Sequence, residues 1–330
     1  MENSILVTGG AGYIGSHVCK ALCKSGFTPI TYDNLSRGHI EAVKWGPLER
    51  GDICDSERLS GVMVKHRPIA VMHFAAYCYV GESVAEPALY YLNNVCGTFS
   101  LLEAMRRCDI SRIVFSSSCA TYGPPRTIPI SEAHPQEPTS PYGASKFVVE
   151  RMLRDFGAAY GLAWAVLRYF NAAGADPECE IGEAHTPETH IIPLALRAAA
   201  DGHEPLTVFG NDYPTTDGTA IRDYIHVADL ASAHLAALRR LLAGGESLAL
   251  NLGTGRGYSV LEVVSAIERV SGRKVTLRYG PRREGDLPVM IADASRARSV
   301  LSWDPEFVEL DTIVRTAWRW HCQLAAEGMR

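Results

Sequence analysis

No Cys-x-x-Cys pair occurs anywhere in this chain, and no cluster of Lys and Arg forms a basic patch. No apolar run approaches the roughly 18 residues that a membrane helix needs. Internal repeats and low-complexity segments are also missing. These absences exclude a membrane-spanning protein and a nucleic-acid binder reading phosphates through a basic face. No cysteine spacing suggests a metal site, and no metal is expected. Nine cysteines make an odd count. Cys19 and Cys23, four apart on one expected helix, read as packing residues, and the whole as a reduced cytoplasmic protein. Strand-like sequence begins by Ser4, which is expected to leave no room for a signal peptide. What remains is 330 residues with 47% hydrophobic and 21% charged content and a net charge of −5, the balance of a globular protein with a sizeable core.

Short β-rich runs alternate with longer helical patterns through the first half, the rhythm of a parallel α/β sheet. Strands are expected at Ile5–Thr8, Thr28–Tyr32, Leu48–Gly51, Ala70–Phe74, Arg112–Ser116 and Ala163–Tyr169. Helices are expected at Gly12–Ser25, Ser56–His66, Pro87–Arg107 and Tyr142–Tyr160. After about residue 170 the rhythm changes, and "NAAGADPECEIGEAHTPETH" reads as loop. The expectation is a doubly wound, Rossmann-type α/β domain over residues 1–170. A smaller, discontinuous α+β substrate domain would follow over 171–330, with one strand, Leu248–Leu252, returning to the first sheet.

Gly9, Gly10, Gly12 and Gly15 stand directly behind the first strand and open the first helix. The run fits G-x-G-x-x-G, which in this strand–turn–helix context aims backbone N–H groups and a helix N-terminus at a diphosphate. Gly15 would let helix and strand pack closely. Asp33 ends the second strand at the distance suited to gripping ribose hydroxyls, and a carboxylate there repels a 2′-phosphate, favouring NAD over NADP. Arg37, four residues on, reads as a solvated loop residue. Asp52 follows the third strand, where it either meets an adenine edge or caps the helix beginning at Ser56.

Chemistry enters with "SPYGASK". Tyr142 and Lys146 are four apart at the start of a helix and share a face. About a quarter of a chance Tyr-x-x-x-Lys match is expected among 14 Tyr and 6 Lys, so the motif needs support. "FSSSCATYG" supplies it: Ser118, at the end of a strand, could bond the same substrate hydroxyl that Tyr142 deprotonates. Ser116 and Ser117 read as a strand-end turn. Bringing a phenol from about 10 to near 7 needs roughly 4 kcal/mol of differential interaction. Two adjacent positive charges, the Lys146 ammonium and a nicotinamide ring, could provide it.

At these residues the chain resembles a known family. "TGGAGYIGSH", "YDN", "GDI", "HFAA", "GES", "YYLNNVCGT", "FSSSCATYG" and "PYGASK" are similar to the extended short-chain dehydrogenase/reductases. "LRYFNAAGA", "FGNDYPTTDGTAIRDYIHVADLA", "LNLGTGRGYSV" and "PRREGD" narrow the likeness to the UDP-glucose 4-epimerases, from about Ile5 to Trp320. The resemblance implies an isomerase that interconverts UDP-glucose and UDP-galactose through a 4-keto sugar with tightly bound NAD. It implies NAD contacts from Gly9, Gly12, Tyr13, Ile14, Gly15, Asp33, Asn34, Asp52, Ile53, Phe74, Ala75, Ala76, Asn93, Ser116, Tyr142, Lys146 and Tyr169. Ser118 and Tyr142 would face the sugar. Asn171, His190, Phe209, Arg222, Tyr224, Arg283 and Asp286 would hold the UDP part, and Met290 would border the sugar pocket. Forked guanidinium donors suit a diphosphate. The family also suggests a homodimer joined by Pro87–Arg107 and Tyr142–Tyr160.

Three positions depart from the family pattern. A lysine that reaches the nicotinamide ribose is replaced by Cys78, so one positive charge is missing and Lys146 must supply more of the field. An asparagine is replaced by His190. The position that gates N-acetyl sugars carries Met290, long and adaptable. Epimerases of UDP-N-acetylglucosamine, UDP-xylose or UDP-arabinose are therefore rival readings. A non-catalytic NAD sensor on the same fold is another. Cys119-Ala120-Thr121 stands where sister dehydratases carry an Asp-Glu pair.

Overall fold

The computed structural model describes residues 3–202, 204–283 and 285–326. Its main sheet has seven strands in the order β3-β2-β1-β4-β5-β6-β10, every neighbouring pair parallel. These strands are β1 (Ser4–Thr8), β2 (Thr28–Asp33), β3 (Leu48–Arg50), β4 (Ala70–His73), β5 (Arg112–Ser118), β6 (Ala163–Tyr169) and β10 (Leu248–Leu252). Parallel strands need crossovers, supplied here by α1 (Tyr13–Lys24), α2 (Ser56–His66), α3 (Val80–Ala85), α4 (Pro87–Tyr90), α5 (Gly97–Arg107), α6 (Pro141–Tyr160) and, returning from the second half, α8 (Val227–Leu242). Side-chain alternation sends Ile5 and Val7 to one face and Leu6 to the other. The first face packs on Val18 and Leu22 of α1 and Leu230–Leu241 of α8. The second packs on Leu59 of α2, Leu101 and Met105 of α5, and Val149 and Leu153 of α6. Strand order reverses between β1 and β4. That switch point is where open α/β sheets bind ligands, at the strands' carboxyl ends.

The remaining elements build a smaller unit. β7 (Asn171–Ala173), β11 (Gly257–Ser259) and β13 (Val289–Met290) all pair with β9 (Ile221–His226), while β8 (Leu206–Phe209) pairs with β12 (Leu277–Gly280). α7 (Ile191–Asp201), α9 (Val260–Ser271) and α11 (Leu310–Ala326) cover this sheet around Ile192, Leu196, Val263, Ile267, Ile313 and Val314. α10 (Ser295–Leu301) docks against β10 and α8. Leu248–Leu252 does return to the main sheet, beside β6.

Several expectations are corrected. β5 runs through Ser118, so Ser116 and Ser117 are strand residues in ladder register with Leu167 and Arg168, not a turn. The stretch read as loop from Asn171 opens with β7, because Asn171–Ala173 pair with Tyr224–His226 of β9, a partner more than fifty residues away. The helix expected over Pro87–Arg107 carries a π-helical segment, Tyr91–Cys96. Cys19 is buried as a packing residue, whereas Cys23 is exposed. Among the described residues no helix is long and apolar enough to cross a membrane.

Candidate active site

The glycine loop lies at the switch point. Gly9 has φ +74°, a left-handed conformation, and a Cβ there would come within 2.5 Å of Ala75 N in the chain leaving β4. A Cβ at Gly15 would drive into the Gly9 carbonyl. Helix α1 therefore begins against bare backbone. Its N-cap, Gly12, carries no capping side chain, and its first turn has no acid, which leaves the positive helix end turned to an anion. Tyr13 and Ile14 occupy the first turn, with the Tyr13 hydroxyl donating to Gly174 O at 2.6 Å. Asp33, at the end of β2, accepts from Ala11 N (3.1 Å) and Leu35 N (2.9 Å). Burial pushes its carboxyl up. Those two bonds fix the carboxylate and leave lone pairs for hydroxyl donors.

Asn34 donates to Asp52 at 2.8 Å, and Asp52 also accepts from Cys54 N. Asp52 does not cap the next helix, since Asp55 accepts from Arg58 N and does so. Ile53 is buried against α5 in the core, so only its backbone can face a ligand. After β4, Phe74 and Ala75 donate backbone N–H groups to Thr8 O. The Phe74 ring lies against His234 of α8, and Ala76 follows half-buried. Arg37 is not a free loop charge: it pairs with Glu82 at 2.6 Å and lies over the Tyr77 and Tyr79 rings.

Gly15→Ala is expected to cost about 1–3 kcal/mol through overpacking. Backbone on both sides leaves no flexible side chain to yield, and the loop should lose its grip on a diphosphate. Thermal unfolding and the nucleotide retained through purification measure the two effects.

Helix α6 starts as its sequence dictates. Ser140 caps it by accepting from Gly143 N (3.2 Å), Pro141 occupies the first turn, and Gly161 ends it at φ +71°. Tyr142 and Lys146 consequently point from its first turns toward β5. Lys146 Nζ donates to Ser116 O at 2.8 Å and lies 5.9 Å from the Tyr142 ring centroid. Burial lowers its ammonium to about 8. Ser116 Oγ meets the Tyr169 hydroxyl at 2.6 Å, placing Tyr169 beside the same pair. Tyr142 is 8% exposed. Its phenol is pushed well above its ordinary value by burial and by neighbouring Tyr169 and Cys78, while a bond with Ser118 pulls the other way. The lowering expected from Lys146 together with a nicotinamide cation belongs to the NAD-bound site; in the chain by itself burial dominates. Among the protein's own groups, desolvation outweighs the single, itself depressed, ammonium. Cys78 faces the cleft, solvent-reached yet near Lys146, His190, Glu183 and Arg37, and burial pushes its thiol up.

Two further groups escaped sequence reasoning. Asn94 is buried in the π-helical segment; its amide accepts from Tyr77 N and donates to Tyr77 O and Ser145 Oγ at 2.9–3.1 Å, clamping the β4 exit to α6. Its neighbour Asn93 donates to it at 2.9 Å. Glu150, one turn beyond Lys146, accepts from Ser117 and from the fully buried Arg168. The Asn-Asn pair in "YYLNN" was the only visible signal, and its register in the π-helical segment was hidden.

The smaller unit brings its candidates to one strand. Arg222 on β9 is in register with Met290 on β13, and Tyr224 with Asn171 on β7. Arg222 bonds Leu287 O at 2.7 Å and Asp286 at 3.1 Å. The Arg283 guanidinium stacks 4.1 Å from the Phe209 ring centroid, a flat pair suited to a base or ribose. The Tyr224 side chain is buried in the core beneath α7 and α9. Met290 is also buried, with Tyr122, Ile130 and Phe170. His190 holds the N-cap position of α7 without a side-chain cap bond and lies against Glu183, Nδ1 to Oε1 2.5 Å, its side chain 41% exposed. A separate cavity of about 560 Å³, lined by Asp217, Arg256, Tyr258 and Arg269, shares no residue with this set.

The residues present fit a dinucleotide. The loop has no Cβ atoms in the way, the helix end is uncapped, and an acid sits on the adjacent strand. Comparisons agree with the geometry. Residues 5–253 match the NAD dependent epimerase/dehydratase family. The chain is 54% identical over 320 residues to a UDP-glucose 4-epimerase of Rhizobium meliloti, covering 97% of each. Among solved structures it resembles a UDP-glucose 4-epimerase from Brucella ovis in complex with NAD, at 52% identity and TM-score 0.94, covering 97% of this chain and 98% of that one. A UDP-glucose-4-epimerase from Stenotrophomonas maltophila with bound NAD and formylated UDP-arabinopyranose superposes at TM-score 0.95 and 40% identity, over 98% and 99% of the two chains. A family match over three quarters of the sequence and relatives alike from end to end leave one assignment: the chain belongs to the NAD dependent epimerase/dehydratase family.

Proposed function

We propose that this protein is an NAD-dependent isomerase that inverts C4 of UDP-glucose and UDP-galactose. The observation that carries the reading is the meeting of Ser118, Tyr142 and Lys146 beside the β4 exit, against which Gly9 packs, in a chain 54% identical to a UDP-glucose 4-epimerase. Gly9, Gly12, Gly15, Asp33 and the α1 N-terminus hold NAD, which when bound supplies a reversible hydride acceptor for C4. Tyr142 Oη takes the O4 proton and later returns it, with the Ser118 hydroxyl aligning the sugar oxygen. Lys146, anchored to Ser116 O, favours the phenolate electrostatically. The 4-keto sugar turns about its diphosphate link and offers its other face to the same phenol.

Arg222 and Arg283 bind the diphosphate, Phe209 packs on the uridine, and Asp286 accepts from ribose hydroxyls. These groups belong to residues 171–330, which act as the nucleotide-sugar unit, while 1–170 with the returning strand act as the NAD unit. Tyr91, Leu92 and Phe99 on the α4–α5 stretch and Val148 and Tyr160 on α6 are large exposed apolar residues. Their exposure in the single chain supports pairing of two copies through those two stretches.

Purified protein incubated with UDP-glucose and no added NAD is expected to form UDP-galactose. No conversion, together with no NAD released on denaturation, overturns the reading in favour of a sensor. Faster turnover of UDP-N-acetylglucosamine or a UDP-pentose in the same assay would reassign the substrate.

A further inference from the structure

Two carboxylate groups in the loop between β7 and α7 are buried with only imidazoles as ion-pair partners among the described residues. The side chains of Glu183 and Glu188 are 7% and 3% exposed, and among the described residues their ion-pair partners are His185 and His190, with no Lys or Arg. Burying two close anions is costly unless positive charge compensates, which a protonated imidazole supplies in part and a bound cation would supply in full. The neighbouring trio Asp176, Glu178 and Glu180 shows the ordinary solution: Lys20 Nζ sits 2.5–2.8 Å from all three. Nothing equivalent closes the Glu183–His190 loop.

The four side chains nevertheless converge. One ligating atom from each of Glu183, His185, Glu188 and His190 lies within 4.8 Å of the others. His190 Nδ1 is shielded from solvent and makes no hydrogen bond, although it lies 2.5 Å from Glu183 Oε1. The nitrogen faces Glu183 Oε1 and, at 3.4 Å, Glu188 Oε1, so a cation seated between them would meet donors from both residue types. The surroundings hold the cluster in place. Glu188 Oε1 accepts from Thr189 N and His190 N at 2.7 and 2.8 Å. Trp320 Nε1 donates to Glu183 O at 2.9 Å, and His39 Nε2 lies 2.6 Å from Ala184 O. The rings of Tyr13 and Tyr79 meet His185 edge-on at 6.1 and 5.9 Å.

We infer that Glu183, His185, Glu188 and His190 form a binding site for a divalent transition-metal ion of the zinc class, which ties the β7–α7 loop to the start of α7 beside the glycine-loop helix. Two imidazoles and two carboxylates form a borderline N/O set that suits Zn²⁺ and its neighbours over Ca²⁺ or Mg²⁺. The ion offsets the buried negative charge and binds the folded loop, so it stabilises the fold by mass action. This inference stands apart from the reaction proposed above, and its readouts are metal content and thermal stability.

The test uses the full chain, freed of metal with EDTA, dialysed and titrated with ZnCl₂. One Zn²⁺ per chain is expected at micromolar metal, with a rise in unfolding temperature that EDTA reverses. Co²⁺ in its place should give a visible ligand-field spectrum of a nitrogen-containing site. His185→Gln and Glu188→Gln should each weaken Zn²⁺ binding at least about 100-fold, while Thr186→Ala, in the same loop, should bind as the parent does. Less than a tenth of an equivalent bound by the parent chain overturns the inference, as does unchanged affinity in both ligand variants. Should either variant fold poorly, the parent's Co²⁺ spectrum decides, since a spectrum without nitrogen ligation rejects the site.

Discussion

Replacing Tyr142 by Phe is expected to lower kcat about 10³-fold, within the range assigned to a positioned general base, while KM for the UDP-sugar stays within about threefold. The hydroxyl is the only atom lost, and it contributes to the transition state more than to ground-state binding. Tyr142 is 8% exposed, and its own surroundings push the phenol well up. Without a positive neighbour the base would be protonated at neutral pH. Lys146 is the nearest protein cation to be identified there, 5.9 Å from the ring centroid. Removing it should shift the acid limb of the pH–rate profile to higher pH.

Burial lowers the Lys146 ammonium from 10.5 to about 8, so the charge costs the fold roughly 3 kcal/mol at neutral pH. The sign follows from proton counts. Between about 8 and 10.5 the unfolded chain binds the proton and the folded chain does not, so stability from this group rises with pH across that window and is lost as pH falls through 8. Lys146→Met should therefore unfold no lower than the parent at pH 7 while turning over far more slowly. A Tyr142→Phe enzyme keeping more than a tenth of parental kcat, or a Lys146→Met enzyme with an unmoved pH profile, would remove the phenolate from the account.

Arg168→Met is expected to destabilise the protein by about 3–5 kcal/mol, the usual result of stripping one partner from a buried ion pair. Arg168 lies fully inside the molecule on β6 and forks onto Glu150 of α6, Nε to Oε1 2.9 Å and Nη2 to Oε2 2.5 Å. Its other donors reach Tyr122 Oη (2.8 Å) and Gln136 Oε1 (3.0 Å). Tyr122 Oη in turn donates to Asn251 Oδ1 of β10 at 2.6 Å, and Ser117 of β5 donates to Glu150 at 2.6 Å. Three strands and helix α6 thus share one polar network. Without Arg168 the buried Glu150 carboxylate, one turn from Lys146, keeps only the half-exposed Arg154 at 3.9 Å as an ion-pair partner. The double variant Arg168→Met, Glu150→Leu removes both charges and should regain most of the lost stability. Chemical unfolding of the three proteins distinguishes these outcomes; equal stability of parent and single variant would discount the network.

Much of the site was legible because its signals are local. The glycine loop, Asp33 two strand-lengths away and the Ser118, Tyr142 and Lys146 constellation each follow from turn chemistry, strand ends and the four-residue helical repeat. Where reading failed, a distant partner had decided the matter. Asn171–Ala173 look like loop until β9 offers its edge. Ser116 and Ser117 look like a turn until β6 continues the ladder beside them. Asp52 looks like a cap, yet Asp55 does the capping and frees Asp52 for Asn34.

By itself, then, the chain's order of residues determined the parallel sheet, the glycine turn between its first strand and first helix, and the Tyr142–Lys146 pair on one helix face, because backbone propensity and side-chain period act over a few residues. Tertiary packing alone decided that Tyr142 is desolvated, that Tyr224 and Met290 lie inside, and that Arg168 and Glu150 support α6. Burial and charge pairing depend on which segments come to lie together, and no short stretch of sequence contains that information.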